Sequence, residues 1–405
     1  MNIVVIGGGA AGYFAAVNLA RLNPSVSVTI LEKSREVLSK VRVSGGGRCN
    51  VTHHCFEPEI FAGHYPRGGK MLRWAFEEFQ ARDTMEWFEE RGVKLKAEAD
   101  GRMFPVTDDS ATIIDCLMAE AKKHNVTVRT QTRVDKIKPS GSGFTLHLHK
   151  KKAITCDAVV VATGGFNREK AYQWLKELGH SVNPPVPSLF TFNFREKVFS
   201  ELAGISVEQA HVHIKGTRYE EVGPVLFTHW GLSGPAVLKL SAWAARELHQ
   251  KEYRYDVEVN WLHLMNQEEV RNRLVTLRDH QPKKKITNQE EFPFPARLWE
   301  KFVELASISP EKRWADLSNK ELHELTLQLV RGTYNIQGKT TYKEEFVTCG
   351  GIPLKEINPN TMESKKKPGL YFAGEVLDID GVTGGFNFQA SWTTGWLAAQ
   401  AGSEY

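Results

Sequence analysis

The sequence has few cysteines, no long apolar run and almost no net charge, and each of these absences excludes a class of protein. Its five cysteines are odd in number and no two are spaced C-x-x-C, so a disulfide framework is not expected. No apolar run is long enough to cross a bilayer. The chain opens with the strand-like MNIVVIG, and no secretory signal is evident. We therefore expect a cytoplasmic protein that does not bind membranes.

The charge balance argues against a dedicated nucleic-acid surface. The 405 residues include 52 lysines and arginines against 48 aspartates and glutamates, which gives a net charge of +4. The lysine runs at 150–152, 283–285 and 365–367 are short and far apart, as is typical of solvated loops. Proteins that bind nucleic acid normally concentrate basic charge on one face. We expect a small-molecule substrate and no nucleic-acid partner, and the sequence leaves the oligomeric state open.

A glycine motif near the N-terminus predicts a dinucleotide site. Gly7, Gly9 and Gly12 form G-x-G-x-x-G between the apolar strand NIVVI and an apolar helix. In this motif the first glycine permits the turn, the second lets the backbone approach a pyrophosphate, and the third lets the helix pack on the strand. Glu32 ends the next strand, twenty residues after Gly12, where a carboxylate would accept ribose hydroxyls. The alternative is an accidental glycine turn with a surface glutamate.

Five of the glycine clusters in the sequence suggest a common role, and four of these directly follow apolar or strand-like stretches. They are Gly7–Gly9, Gly45–Gly47, Gly164–Gly165, Gly350–Gly351 and Gly384–Gly385. Open α/β sheets bind ligands at the carboxyl edge of their strands. We interpret the clusters as backbone that approaches one long ligand along this edge, and the alternative is that they are only tight turns.

Local signals predict two of the helices in some detail. Residues 70–91 are expected to be helical, with a capping box at Asp83 and Glu86 and a stop at Gly92. In GLSGPAVLKLSAWAARELHQ, Ser233 is the expected N-cap, and a proline follows in the first turn.

Five longer stretches resemble one family of bacterial flavoproteins. They are SGGGRCNVT, GRMFP, LFTHWGLSGPA, VTCGGI and GLYFAGEVLDIDGVTGGFNFQASWTTG. These motifs are long and specific, and the resemblance runs through the whole chain. The family is that of the NAD(P)/FAD-dependent oxidoreductases, which includes aminoacetone oxidase and a bile-acid 4,6-reductase. The arrangement is more distantly similar to that of fumarate reductase and aspartate oxidase flavoproteins.

The resemblance implies an α/β fold in which a Rossmann-like domain, two-part in sequence, binds FAD without a covalent bond. It also implies an inserted β-barrel-like module and a helical module. The sequence changes character accordingly, because stretches such as FTFNFRE alternate like strands, the region from about 265 to 332 is charged and helical, and α/β character returns at 345. The expected domains are 1–190 with 345–405 for FAD, 191–262 with 333–344 for the β-rich module, and 263–332 for the helical module.

The resemblance also implies which residues hold the FAD. Glu375 would accept a ribityl hydroxyl, and the backbone of Val134 would read the adenine edge. Residues 385–387 open the last helix, whose N–H groups would face flavin O2 and N1, where charge accumulates on reduction. The expected cofactor-binding residues are Gly7, Gly9, Ala10, Ala11, Gly12, Glu32, Lys33, Gly45, Gly46, Gly47, Arg48, Cys49, Asn50, Val134, Thr163, Gly164, Gly374, Glu375, Gly385, Phe386 and Asn387.

The stretch SGGGRCN allows several interpretations. A Walker A loop is excluded because no Gly-Lys-Ser/Thr follows. A zinc site could use the cysteines and histidines of residues 49–55, but no second cluster has matching spacing, and we expect no metal. We interpret Gly45–Gly47 as backbone passing under the flavin. Arg48 and Asn50 are then polar partners of flavin or substrate and the candidate catalytic residues. Cys49 is expected to be a buried small residue rather than a redox thiol.

These expectations define an FAD-dependent oxidoreductase that moves hydride between a small organic substrate and the flavin. The other partner would be NAD(P)H or oxygen. Only one nucleotide fingerprint is present, so NAD(P)H would visit the flavin transiently. Two alternatives stay open: a flavin-dependent tRNA-modifying enzyme, which would want a basic face bearing aromatic residues, and a non-catalytic flavin-binding redox protein.

Overall fold

The computed structural model describes residues 1–196, 199–341 and 347–404, which form the following elements. The strands are β1 (Asn2–Ile6), β2 (Ser27–Leu31), β3 (Thr52–His53), β4 (Leu95–Ala97), β5 (Arg102–Pro105), β6 (Thr127–Arg129), β7 (Val134–Ser140), β8 (Gly143–Leu148), β9 (Ile154–Cys156), β10 (Ala158–Val161), β11 (Asn183–Ser188), β12 (Thr191–Phe194), β13 (Ser206–Ile214), β14 (Glu220–Phe227), β15 (Gly231–Ser233), β16 (Arg254–Asn260), β17 (Gly332–Thr340), β18 (Val347–Gly351) and β19 (Leu370–Phe372). The helices are α1 (Ala10–Leu22), α2 (Ser39–Gly47), α3 (Pro58–Ala62), α4 (Gly69–Glu78), α5 (Ala81–Glu89), α6 (Ala111–Lys123), α7 (Gln173–Lys176), α8 (Pro235–Trp243), α9 (Ala245–Gln250), α10 (Gln267–His280), α11 (Ala296–Leu305), α12 (Asn319–Arg331) and α13 (Phe386–Glu404).

The chain divides into two compact units. The first comprises Met1–Ser188 and the described part of Tyr342–Tyr405, and the second comprises Leu189–Thr341. The division into three modules that the sequence suggests stays a prediction. Among the described residues no helix is both long and apolar enough to cross a membrane.

A parallel five-stranded sheet forms the centre of the first unit, in the order β19-β10-β1-β2-β6. β1, β10 and β19 are almost wholly buried, which explains their continuous apolar sequences NIVVI, AVVV and LYF. α13 packs against α1, and glycines allow the close approach: a Cβ added at Gly395 would lie 2.9 Å from the carbonyl oxygen of Ala11. The Rossmann-type α/β core predicted from the sequence is confirmed.

Three small antiparallel sheets complete the first unit. β3, β5 and β4 form one, in which Thr52 is in register with Met103. β7, β8 and β9 form the second, as the alternating sequence predicted, and β11 pairs with β18 in the third. The first of these sheets carries the GRMFP motif alongside the segment that follows SGGGRCN, so it supports that loop.

The second unit contains a closed antiparallel barrel in the order β12-β15-β14-β13-β16-β17. Its buried strand residues, such as Phe192, Val212 and Val257, belong to one apolar core that also includes Leu274, Trp299 and further side chains of α10, α11 and α12. The barrel and the helices predicted for the inserted region are therefore present and share a core.

The structure differs from the sequence-based predictions at the starts of two helices. Residues 70–91 form two helices, α4 and α5, because Phe79 is extended (φ −154°, ψ 105°). The capping box is formed by Gln80 and Asp83, one turn earlier than expected. Ser233 ends β15, and Gly234, at φ 93°, is the N-cap of α8. Gly234 thus takes the place of Ser233 as the N-cap, one position closer to Pro235, and its positive φ favours glycine.

Candidate functional site

The carboxyl ends of four parallel strands bring the predicted glycine motifs to one edge of the sheet. β1 leads into Gly7, β2 into Glu32, β10 into Thr163, and β19 into Gly374. The N–H of Gly7 donates to Leu31 O at 2.8 Å, so the first two loops start side by side. Motifs that are far apart in sequence therefore converge where open α/β sheets bind ligands.

The three glycines of the first motif have different surroundings. A Cβ at Gly12 would lie 1.9 Å from Gly7 O, and a Cβ at Gly7 (φ +115°) would lie 2.3 Å from Ala162 O. These two glycines are required by the packing of α1 and β10 on the turn. Nothing lies within 4 Å of a Cβ at Gly9, which precedes Ala10, the first residue of α1. Gly9 therefore leaves open space at a helix N-terminus, where unpaired N–H groups favour phosphate.

Glu32 is held by the loop that it was predicted to complete. Its Oε2 accepts the N–H of Gly8 at 2.8 Å, and its Oε1 accepts the N–H of Ser34 at 2.7 Å. Burial, with Glu32 as the second cause, raises the pKa of Tyr13 to about 12. The Lys33 ammonium group is 5.7 Å from the centre of the Phe166 ring, and its contact with the cofactor stays a prediction.

Glu375 forms the second polar centre of the edge. Its Oε1 accepts the N–H of Thr348 at 2.7 Å, and its Oε2 pairs with Lys40 Nζ at 2.8 Å. The Thr348 hydroxyl is fully buried, and the described residues offer it no hydrogen-bond partner. A Cβ at Gly164 would meet nothing within 4 Å, whereas one at Gly165 would lie 2.4 Å from Thr348 Oγ1. Sequence reasoning missed Lys40 and Thr348, which lie more than 300 residues apart and both contact Glu375.

The glycines of SGGGRCN form a left-handed turn at the end of α2. Gly45, Gly46 and Gly47 have φ values of +59°, +70° and +87°. A Cβ at Gly45 would lie 2.9 Å from the Phe104 ring, whereas Gly46 and Gly47 face open space. Phe104 belongs to the GRMFP motif. The SGGGRCN and GRMFP segments therefore pack against each other.

The Arg48 guanidinium is engaged by protein groups. Its Nη1 lies 2.6 Å from Glu98 and 3.6 Å from Asp108, and its Cζ lies 4.0 Å from the centre of the Phe104 ring. The hydrogen bond to Glu98 is the main reason that the pKa of Arg48 is raised. Because the two carboxylates offset its charge, a direct role of Arg48 toward flavin or substrate stays a prediction.

Cys49 and Asn50 turn inward. The Cys49 side chain is fully buried, and burial raises the pKa of its thiol to about 12, so the thiol is neutral at pH 7. With its amide oriented to match donors with acceptors, Asn50 donates to Thr52 O (3.0 Å) and Met103 O (3.3 Å) and accepts the N–H of Gly385 (2.9 Å). Asn50 thereby links the SGGGRCN loop to the start of the last helix.

The start of α13 is fixed from several sides. Gly385, at φ +95°, lies so close to Thr52 O that an added Cβ would be 2.4 Å away. Tyr65 donates its hydroxyl to Phe386 O at 2.6 Å. Asn387 Oδ1 accepts the N–H of Gly381, and its Nδ2 donates to Gly381 O, both at 2.9 Å. The side chain of Asn387 thus stabilises the preceding loop. Any contact of Asn387 with a ligand would be made by its backbone.

The roles of some predicted residues stay predictions. Val134 begins β7, and the N–H of Thr132, two residues earlier, donates to Glu32 O at 2.7 Å. Gly350 and Gly351 pack on protein backbone, because Cβ atoms there would lie 2.5 Å from Pro184 O and Val376 O. Whether Gly350 and Gly351 also contact a ligand stays a prediction. Within residues 1–196, 199–341 and 347–404, no three His, Cys, Asp or Glu side chains are grouped as a metal site requires.

A glycine-lined carboxyl edge with a carboxylate after β2 defines a dinucleotide-binding protein of the Rossmann type. The chain belongs to the HI0933-like protein Rossmann domain family, whose model matches residues 1–401. It is 32% identical over 410 positions to the ribosomal RNA dihydrouridine synthase of Escherichia coli (strain K12), covering 98% of this chain and 97% of that protein. It is 29% identical over 414 positions to a 3-dehydro-bile acid delta(4,6)-reductase of Clostridium scindens, covering 100% and 99%.

Two solved structures with bound steroids share the fold. The 3-ketosteroid-delta4-(5alpha)-dehydrogenase of Rhodococcus jostii RHA1 has a TM-score of 0.55 at 15% identity, covering 100% of this chain and 96% of that one. The 3-ketosteroid delta1-dehydrogenase of Sterolibacterium denitrificans has a TM-score of 0.52 at 12% identity, covering 99% of each. At these identities the likeness concerns the fold alone.

The expected family is confirmed, and the protein is an FAD-dependent oxidoreductase. The residues present fit FAD. Open space adjoins Gly9, Gly46, Gly47 and Gly164, and the buried hydroxyl of Thr348 lacks a partner among the described residues. These features suit a ligand long enough to reach from α1 toward the SGGGRCN loop.

Proposed function

We propose that the protein reduces a carbon–carbon double bond that is conjugated with a carbonyl group, with FAD as the hydride carrier. The observation that carries the proposal is similarity over the full length to two kinds of reductase. A 3-dehydro-bile acid unsaturated at positions 4 and 6 has double bonds conjugated with its ketone. Formation of dihydrouridine saturates the uridine C5=C6 bond, which is conjugated with the C4 carbonyl. The two substrates differ in size, but the reacting atoms are alike.

In such a reduction a hydride adds to the alkene carbon distant from the carbonyl, and a proton adds to the adjacent carbon. The π bond is replaced by two C–H bonds. Bound FAD would supply the hydride chemistry. Gly9 and the start of α1 would hold the pyrophosphate, and Glu32 would accept the ribose hydroxyls. Glu375, oriented by Lys40, would accept a ribityl hydroxyl, and the first N–H groups of α13 would stabilise charge that develops on the ring.

We propose NAD(P)H as the reductant and a small organic enone as the substrate, in the cytoplasm. The chain carries a single G-x-G-x-x-G motif, and the site residues described above account for one dinucleotide. NAD(P)H would therefore visit the flavin and leave before the substrate enters. The five cysteines are free, which suits a reducing compartment.

A second substrate, uridine in RNA, is favoured by one observation. The chain is 32% identical over 98% of its length to a ribosomal RNA dihydrouridine synthase. The near balance of charge in the whole sequence favours the small-molecule substrate instead. Both candidate substrates contain a carbon–carbon double bond conjugated with a carbonyl group. The same enzyme preparation can therefore be assayed with each of them.

The test is anaerobic turnover of the FAD-loaded protein. NADH or NADPH should bleach the flavin, and the colour should return when an acceptor is added. The acceptors are a steroid 4,6-dien-3-one and ribosomal RNA that contains no dihydrouridine, and mass spectrometry should find a product two hydrogens heavier in one of them. If neither acceptor reoxidises the flavin and oxygen alone does, the protein is an oxidase or a redox-sensing flavoprotein and the proposal is wrong.

A further inference from the structure

The first unit contains a cavity that is lined by none of the residues expected to bind FAD. This α1–α6 cavity has a volume of about 470 Å³, and its lining comes from α1, α2, α6 and the segments that flank β2 and β6. Pockets that bind small molecules typically enclose about 300–1,000 Å³. A Cβ added at Gly8 would lie 3.0 Å from Val37 Cγ1, so the wall that contains Val37 packs on the nucleotide motif.

Aliphatic side chains form much of the wall of the α1–α6 cavity. Five of the eleven residues that line it are Val37, Met118, Ala121, Val126 and Val128. Ala121 and Val126 are buried, whereas Met118 and Val128 are 46% and 37% exposed. Removing such apolar surface from water is favourable. The wall is therefore suited to the apolar part of a ligand.

The cavity also carries an excess of positive charge. Arg35, Arg42 and Lys122 line it and are exposed, and Glu36 is the one carboxylate among the lining residues. Within the described part of the chain, none of these four side chains forms a hydrogen bond or an ion pair. Lys123, the next residue of α6, is by contrast paired with Glu120. Three cations against one carboxylate leave two positive charges without partners, which favours a bound anion.

A buried hydroxyl group lines the same cavity. Tyr13 is only 2% exposed, and among the described residues its hydroxyl has no hydrogen-bond partner. Burying a hydroxyl without a partner is costly, and most such groups in proteins are bonded. Burial raises the pKa of Tyr13 to about 12, so the hydroxyl keeps its proton at neutral pH and can donate it to an acceptor. An anionic ligand would supply that acceptor.

We propose that the α1–α6 cavity binds an organic anion that has an apolar body and a carboxylate or phosphate head. The head would pair with the guanidinium groups of Arg35 and Arg42, whose planar forks suit both kinds of anion. The Tyr13 hydroxyl would donate to the head, and the body would cover Met118 and Val128. Glu32, expected to hold the ribose of FAD, contributes to the raised pKa of Tyr13, so the site adjoins the adenosine end of the cofactor.

The test is calorimetric titration of the FAD-loaded protein with four compounds. Decanoate and decyl phosphate combine the body with each head, decan-1-ol has the body alone, and inorganic phosphate is the head alone. At least one of the two amphiphilic anions should bind, about tenfold or more tighter than decan-1-ol and inorganic phosphate. The proposal is wrong if neither anion binds, or if decan-1-ol binds as tightly as the anions.

Three variants assign the binding to this cavity. Arg35→Gln with Arg42→Gln should weaken binding of the anion about tenfold or more, because two charge-assisted contacts are lost. Tyr13→Phe keeps the buried ring and removes only the hydroxyl, so it should also weaken binding about tenfold. The control is Arg129→Gln, since Arg129 is exposed and follows Val128 on β6 but does not line the cavity. It should bind as the wild type does.

Wild-type affinity in both the double variant and Tyr13→Phe would overturn the proposal. The flavin absorbance of the protein, followed after gel filtration with and without the anion, gives a further measurement. FAD should stay bound when the cavity is saturated. Release of FAD in proportion to the anion bound would show that the cavity belongs to the cofactor site, and the proposal of a separate site would be wrong.

Discussion

Gly9 and Gly12 lie three residues apart in one motif, and their surroundings predict opposite consequences of the same substitution. Gly12→Ala places a methyl group 1.9 Å from Gly7 O, where backbone must move, and such overpacking costs about 1–3 kcal/mol. Gly9→Ala meets nothing within 4 Å and has a negative φ of −90°. We expect Gly12→Ala to lower the free energy of unfolding of the FAD-free protein by that amount. Gly9→Ala should leave it unchanged and weaken FAD binding at least tenfold.

Urea unfolding of the FAD-free protein and a fluorescence titration with FAD separate the two effects. Each variant serves as the control for the other, since both add one methyl group to the same loop. Unweakened FAD binding by Gly9→Ala would mean that the pyrophosphate does not pass this residue.

Arg48 shows how a neighbour that is distant in sequence changes an electrostatic expectation. An unpaired guanidinium about 4 Å from the flavin could raise its potential by up to roughly 90 mV. Glu98 and Asp108 offset the charge of Arg48, so Arg48→Ala should lower the potential by a few tens of millivolts at most. Glu98→Gln removes part of that offset and should shift the potential upward. Spectroelectrochemistry of the two variants checks the opposite signs.

Cys49→Ser is the neighbouring control for these variants. The thiol is buried and its pKa is raised to about 12, so it carries no charge at pH 7. The substitution should leave potential and turnover nearly intact. Turnover lost while FAD stays bound would identify the thiol as catalytic.

The helices and strands that could be predicted are those whose signals are local. β1, β10 and β19 are short apolar runs close to glycines, β2 leads into Glu32, and the structure places all four in the parallel sheet. The break between α4 and α5 was missed because both sides are good helix sequences. Gln80, a less common cap than Ser or Asp, starts the second helix. Lys40 could not be predicted, because its partner Glu375 is 335 residues away, and Thr348 acquires its role from Glu375 and Gly165 together.

A buried cluster ties the segment after β18 to the one before β11. His180 Nδ1 donates to Glu356 at 2.8 Å, and Ser364 Oγ lies 2.9 Å from His180 Nε2. The order of groups is that of a catalytic triad. However, Ser364 Oγ already accepts the N–H groups of Lys366 and Lys367, and all three triad side chains are buried. The cluster is therefore structural and joins two segments of the first unit.

This cluster predicts that stability falls as the pH falls. Burial lowers the pKa of His180 below 6.5, so below that pH the unfolded chain binds more protons than the folded protein. Burial alone would raise the pKa of Glu356, but hydrogen bonds from Lys366, Ser181 and His180 lower it to about 2. The Glu356 contribution, on the order of 3 kcal/mol, is therefore full above pH 4.5 and is lost between pH 4.5 and about 2.

The measurement is the urea midpoint as a function of pH. Glu356→Gln should be less stable than the wild type at pH 7, and the difference should shrink toward pH 3. A constant difference across this range would show that Glu356 is not the group that titrates.

At the scale of the whole molecule, the residues expected to hold FAD all lie in Met1–Ser188 and the described part of Tyr342–Tyr405. The second unit has its own closed barrel and its own core. The return of the chain to the first unit was visible in the sequence as a second set of glycine-flanked strands. The closure of the barrel was not, because it depends on the pairing of β12 with β17, whose residues are more than 140 positions apart.

A single cut in the second unit should therefore leave the flavin bound. The connection between α10 and α11 exposes Glu290 and Glu291, while Phe292 and Phe294 beside them are buried in the core of the second unit. A protease that cuts after glutamate should cleave here first, and the nicked protein should stay yellow through gel filtration because the buried phenylalanines hold both new ends.

The variant Glu290→Gln/Glu291→Gln should be cut more slowly, which assigns the cleavage site. The flavin released from the nicked protein by acid should chromatograph as FAD. Loss of colour with the first cut would mean that the assignment of the cofactor to the first unit is wrong, and FMN in the chromatogram would mean that the cofactor is not FAD.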